Sequence, residues 1–150
     1  MKPDTSTLKD LVEVLNDGKI FYEEAAAKVN RPELRDLFRR MAGTKAAIVS
    51  DLQTKIVQRG ADAPAADSKS VAGTLLKAWG ELRASMSSAP NVEYVSQLED
   101  FEDRIVAAFK DAAEKSEDAD VRSIAARHMP QVLRDHSEMR AIKLEFKRAS

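Results

Sequence analysis

The sequence predicts an all-α protein: an up-down four-helix bundle whose two helical hairpins are joined by one long connection carrying an extra short helix. Three observations lead there. Along every strong segment apolar residues recur at helical spacing, and no stretch shows the strict alternation of a half-buried strand. Two of the breaks between segments are very short, as between antiparallel neighbours, whereas one spans roughly thirty residues. The 150 residues, 43% hydrophobic and 33% charged, suit a single domain over 1–150 with one substantial core.

The first segment places Leu8, Leu11, Leu15, Tyr22, Ala26 and Val29 on one stripe, with Thr5, Ser6 or Thr7 available to cap its start. The second follows after a short break. Asn30 is suited to cap it, Pro32 to its first turn and Gly60 to its end, and its stripe is Leu34, Leu37, Met41, Ile48, Leu52 and Ile56. The small and polar run "ADAPAADSKS" reads as a loop. A shorter amphipathic helix then carries Val71, Leu75, Trp79, Leu82 and Met86. The third bundle helix, from about 92 to 115, repeats Val95, Leu98, Ile105, Phe109 and Ala112. The fourth, from about 121 to 147, turns Val121, Ala125, Val132, Met139 and Phe146 inward. A long link between the hairpins lets the second begin at the end where the first makes its turn, the one-crossover topology of ferritin-like folds.

Composition narrows the chemistry. The chain has no cysteine, which excludes disulfides, zinc–thiolate sites, iron–sulfur clusters and thiol nucleophiles. Twenty-four basic against twenty-five acidic residues leave a net charge of −1, so neither nucleic acid nor an anionic membrane is an expected partner. No run approaches the ~20 apolar residues of a membrane span, and the charged N-terminal stretch lacks the apolar core of a signal peptide. A cytoplasmic location is expected. There is neither a glycine-rich phosphate loop nor a defensible Ser–His–Asp order, and no catalytic residue or cofactor is expected.

The polar residues on the inward stripes are the informative ones. Lys19 and Tyr22 lie on the first helix, Lys45 on the second between Met41, Ile48 and Leu52, and Glu102 on the third between Leu98, Ile105 and Phe109. The two histidines, His128 and His136, fall on the inward side of the last helix. Their separation of eight residues, ~12 Å along a helix, is too long for one ion. Neither has a carboxylate three or four residues away, so hydrogen-bonded core packing stands beside ligation as a reading of each. With the crossover topology, Tyr22, Lys45, Glu102 and His136 fall within ~10 Å of one another in height. They form a candidate polar core network in which the Lys45 ammonium pairs with Glu102. The acidic run Glu99, Asp100, Glu102 and Asp103 suits the first half of its helix, and Glu99 with Asp103 offers a cation only two surface ligands. Val14, Ile20 and Phe21 lie off the first stripe and form a second apolar surface, suited to the linking helix or to a homodimer interface.

The stretches "LVEVLNDGKIFYEEAAAKV", "LFRRMA", "SVAGTLLKAWGELRAS" and "RDHSEMRAIK", in that order, resemble a bacterial family of ferritin-like four-helix-bundle proteins catalogued as a domain of unknown function. The resemblance runs from about Leu8 to Lys143 and implies the bundle fold without an established activity. Set against the wider rubrerythrin and ferritin pattern, it implies Leu15 at the first carboxylate position and Lys45 with Ile48 at the second helix's Glu and His positions. Glu102 then matches the third carboxylate, and Leu133 with His136 replaces the last Glu-x-x-His. Iron oxidation is not implied by such a remnant. The expected role is a non-catalytic binding or stress-associated accessory protein. The alternative is a metal- or oxygen-handling protein with a reduced site around Glu102 and His136.

Overall fold

The computed structural model describes residues 5–61 and 90–149. Four α-helices occupy them: α1 (Thr5–Lys28), α2 (Pro32–Gln58), α3 (Pro90–Lys115) and α4 (Ala119–Ala149). No strand occurs among the described residues. The expected short helix from Val71 to Met86 lies outside them. None of the described helices is long and apolar enough to cross a membrane.

Local chemistry sets the helix ends. Arg31 precedes Pro32, is held extended at φ −103° and ψ 121°, and makes no side-chain cap bond. Asn30, expected to cap α2, does something else. Its side-chain oxygen accepts from Asn91 Nδ2 at 2.8 Å, and its backbone N–H donates to Asn91 Oδ1 at 3.3 Å. This pair ties the start of α3 to the α1–α2 turn. At the far end of α2, Gly60 takes φ +82° and donates to the Val57 carbonyl at 2.9 Å, a left-handed turn that stops the helix. Asp118 caps α4 by accepting from the Asp120 N–H at 2.9 Å. Its other oxygen accepts from Arg59 at 2.9 Å, so the end of α2 meets the α3–α4 turn. The two ties make α3 run parallel to α2, while each hairpin is antiparallel.

The hairpins pack α1 on α2 and α3 on α4, and α1 on α3 joins them. The expected stripes form the centre: Leu8, Leu11, Leu15, Met41, Leu52, Ile56, Leu98, Ile105 and Phe109 are essentially inaccessible. Tyr94, Phe101 and Ile124 join this core from positions beside the expected stripes. Phe101 packs edge-on against Phe21, with ring centroids 5.1 Å apart and planes at 76°.

Gly18, inside α1, marks the closest approach of the core to a helix backbone. A β-carbon there would lie 2.7 Å from Phe101 Cε1 and 3.2 Å from Cδ and Cε of Lys45. A Gly→Ala change inside a helix normally gains up to ~1 kcal/mol from backbone entropy. At Gly18 the clash should win: Gly18→Ala is expected to cost about 1–3 kcal/mol by overpacking. Gly43, inside α2, has no described residue within 4 Å of its virtual β-carbon, so Gly43→Ala should raise stability. Thermal melts of the two variants check both signs, and a stabilised Gly18→Ala would refute the close approach.

Candidate functional site

One polar cluster lies at the centre of the bundle, and each helix contributes one member. Tyr22 comes from α1, Lys45 from α2, Glu102 from α3 and Asp135 from α4, all no more than 3% exposed. The Lys45 stem passes Gly18, and its ammonium donates to Glu102 Oε1 at 2.5 Å and to Oε2 at 3.2 Å. It also donates to Asp135 Oδ2 at 3.4 Å. The Nζ stands 4.7 Å from the Tyr22 ring centroid, a cation–π distance. Gln131, one helical turn before Asp135, donates to Asp135 Oδ1 at 2.9 Å.

One ammonium therefore faces two carboxylates in a dry interior. Burial pushes the Glu102 carboxyl above the usual range; Lys45 opposes this, and Asp135 adds to it. The Tyr22 phenol is held neutral, well above its ordinary pKa, first by burial and then by the charges of Glu102 and Asp135. Tyr22 Oη, inaccessible to solvent, faces the Glu102 carboxylate without full hydrogen-bonding geometry to any described residue.

His136 does not reach this cluster. Val132 and Met139 both face inward, and the residues three and four after Val132 flank their line equally well. The rotation of α4 turns Asp135 in and His136 to the seam between α3 and α4, where Nε2 shares a hydrogen bond with Asp103 Oδ1. The same rotation leaves Leu133 44% exposed. Glu102 and His136, the metal pair of the alternative reading, are thus engaged with different partners. Asp135 was legible as a carboxylate on the Val132–Met139 line, but the helix period alone cannot choose between neighbours that straddle a stripe. His128 bonds Asp51 Oδ2 at 2.7 Å and lies edge-on to Phe109, with centroids 6.4 Å apart. The residues of the second apolar surface, suited to the linking helix or a homodimer interface, differ in exposure. Phe21 is buried under Phe101, Val14 packs against the core, and Ile20 and Lys19 are half-buried.

A concave feature lies at the α2–α4 seam, a cleft of about 500 Å³. Leu37, Ile142 and Phe146 line its apolar part, and Arg31, Arg40 and Glu138 its rim. Arg40 holds Glu138 with two parallel bonds, at 3.1 and 2.5 Å. Arg31 stacks over the Phe146 ring at 5.1 Å.

Residues 4–115 match the family described as Domain of unknown function (DUF2383), and the chain belongs to that family. The match covers α1, α2 and α3. It stops short of α4, which supplies Asp135 and His136. No protein with a curated description matches the chain.

Removing the ammonium should be severe. Lys45→Met is expected to cost roughly 3–5 kcal/mol, because it leaves two buried carboxylates without a counter-charge. Lys45→Met with Glu102→Leu should recover part of that loss, and adding Asp135→Asn should recover more, since Asp135 still lacks its cation in the double variant. Denaturant unfolding of the three variants measures this order, and equal stabilities would dissolve the network.

The raised Glu102 carboxyl has a definite pH signature. The folded chain keeps this proton to higher pH than the unfolded chain does. The group therefore adds stability as pH falls toward its unfolded value and loses it as pH rises through the folded one. Glu102→Gln cannot titrate. As pH is lowered from neutrality toward the ordinary carboxylate range, the native protein should gain on this variant, by at most about 1.4 kcal/mol per pH unit. A flat or opposite difference in paired unfolding curves would show that Lys45 outweighs burial.

Proposed function

We propose that this protein is a ferritin-like bundle of non-catalytic type, with a long crossover from α2 to α3, that acts through its surface as a binding or stress-associated accessory protein. The observation that carries this reading is the Lys45 ammonium between Glu102 and Asp135. A bundle that held a divalent pair at its centre would need several carboxylates and histidines converging there. Here the centre has two carboxylates and its own cation. A lysine ammonium at that point repels a divalent ion and takes the lone pairs an ion would use. The residues do not fit a resident di-metal centre.

The crossover is supported by the bond between Asn30 and Asn91, which starts α3 beside the α1–α2 turn. Action through the surface is supported by the α2–α4 cleft, whose mixed apolar and charged lining suits a polar partner with an apolar group. The alternative, a metal- or oxygen-handling centre, requires Glu102 and His136 on one ion, and their bonds to Lys45 and Asp103 count against it.

Calorimetric titration with ferrous or manganous ion under anaerobic, neutral conditions tests the reading. No event that depends on Glu102 is expected. A stoichiometric site abolished by Glu102→Gln would overturn it in favour of the metal-handling alternative.

A further inference from the structure

The outer face of the α3–α4 seam has donors that the buried network does not use. Glu99 and Asp103, one helical turn apart on α3, face His136 on α4. One ligand atom from each, two carboxylate oxygens and an imidazole nitrogen, lie within 4.8 Å of one another. Glu99 is 5% exposed although it carries a carboxylate, whereas Asp103 is exposed and leaves the group open to solvent. This is a mixed nitrogen and oxygen set drawn from two helices, in which the histidine supplies what a cluster of carboxylates lacks.

Lys143 competes with an ion for one of these carboxylates. Lys143, two turns beyond His136 on the same side of α4, places its ammonium 3.2 Å from Glu99 Oε2 and 3.5 Å from Asp100 Oδ1. Among the described residues, Glu99, Asp100 and Asp103 face the Lys143 ammonium and the His136 imidazole at this seam.

We propose that Glu99, Asp103 and His136 form a binding site for a borderline divalent cation of the Zn²⁺ type, clamping α3 to α4 at the surface. With bonds of ~2.1 Å, a tetrahedral ion places its donors roughly 3.4 Å apart, a spacing that side-chain rotation brings within reach of this group. His136 Nε2 exchanges its bond to Asp103 for one to the ion, and the ring proton resides on Nδ1. Water completes the shell. The ion neutralises Glu99 and Asp103, and Lys143 turns to Asp100. Imidazole with carboxylates ranks Zn²⁺ above Fe²⁺ and Mn²⁺, so the site is distinct from the iron chemistry considered for the bundle centre.

The test titrates the full chain with Zn²⁺ by calorimetry and follows its melting temperature with and without the ion. One Zn²⁺ per chain is expected, together with a higher melting temperature. His136→Ala should weaken binding by at least about tenfold and abolish the melting shift, while His128→Ala, the control for the other histidine, should keep both. Lys143→Met should bind more tightly, because a competing cation is gone. Both histidine variants change half-buried side chains, and their circular dichroism reports folding independently of the metal. Absence of a stoichiometric event up to about 100 µM Zn²⁺, or binding that survives His136→Ala unchanged, overturns the proposal.

Discussion

The structure is organised around one ammonium placed between two carboxylates where water does not reach. Lys45, Glu102, Asp135 and Tyr22 come from four different helices, so the cluster is satisfied in only one mutual register. Sliding α2, α3 or α4 by one turn, ~5.4 Å, would carry its charge away from the others and leave them unpaired in a low-dielectric interior. Such a cluster need not add net stability over a well-packed apolar core, but it penalises alternatives heavily. Gly18 belongs to the same constraint, since its missing side chain is the space in which the Lys45 stem and Phe101 meet α1.

The ends of the bundle are held by weaker devices. Asn30 with Asn91 at one end and Arg59 with Asp118 at the other set the direction of α3 relative to α2. The Asn pair is exposed, and such contacts contribute little by themselves. They act as locators, while the buried charges and the surrounding aromatic and aliphatic side chains set the cost of misplacement.

Consecutive residues divide the labour along α3 and α4. Glu102 and Asp135 point into the core toward Lys45, and the next residues in sequence, Asp103 and His136, bond each other at the surface. A helix turns by about 100° per residue, so neighbours in sequence separate into different environments. The same two short stretches thereby supply a desolvated charge network and a solvent-accessible nitrogen–oxygen donor set.

The sequence by itself determined the helical class, the four bundle helices and their approximate ends, and the inward position of Lys45 and Glu102. Local rules suffice for these: apolar residues at helical spacing, Pro32 at a helix start, Gly60 at a helix end, and a charged residue between apolar ones on a stripe. Only the tertiary structure decided that Asp135 and not His136 completes the network, that Phe21 is buried under Phe101, and that Asn30 bonds Asn91 in place of capping α2. Each depends on how one helix is rotated against another. Periodicity fixes a stripe to within about one residue, whereas rotation within that tolerance is set by packing against residues dozens of positions away.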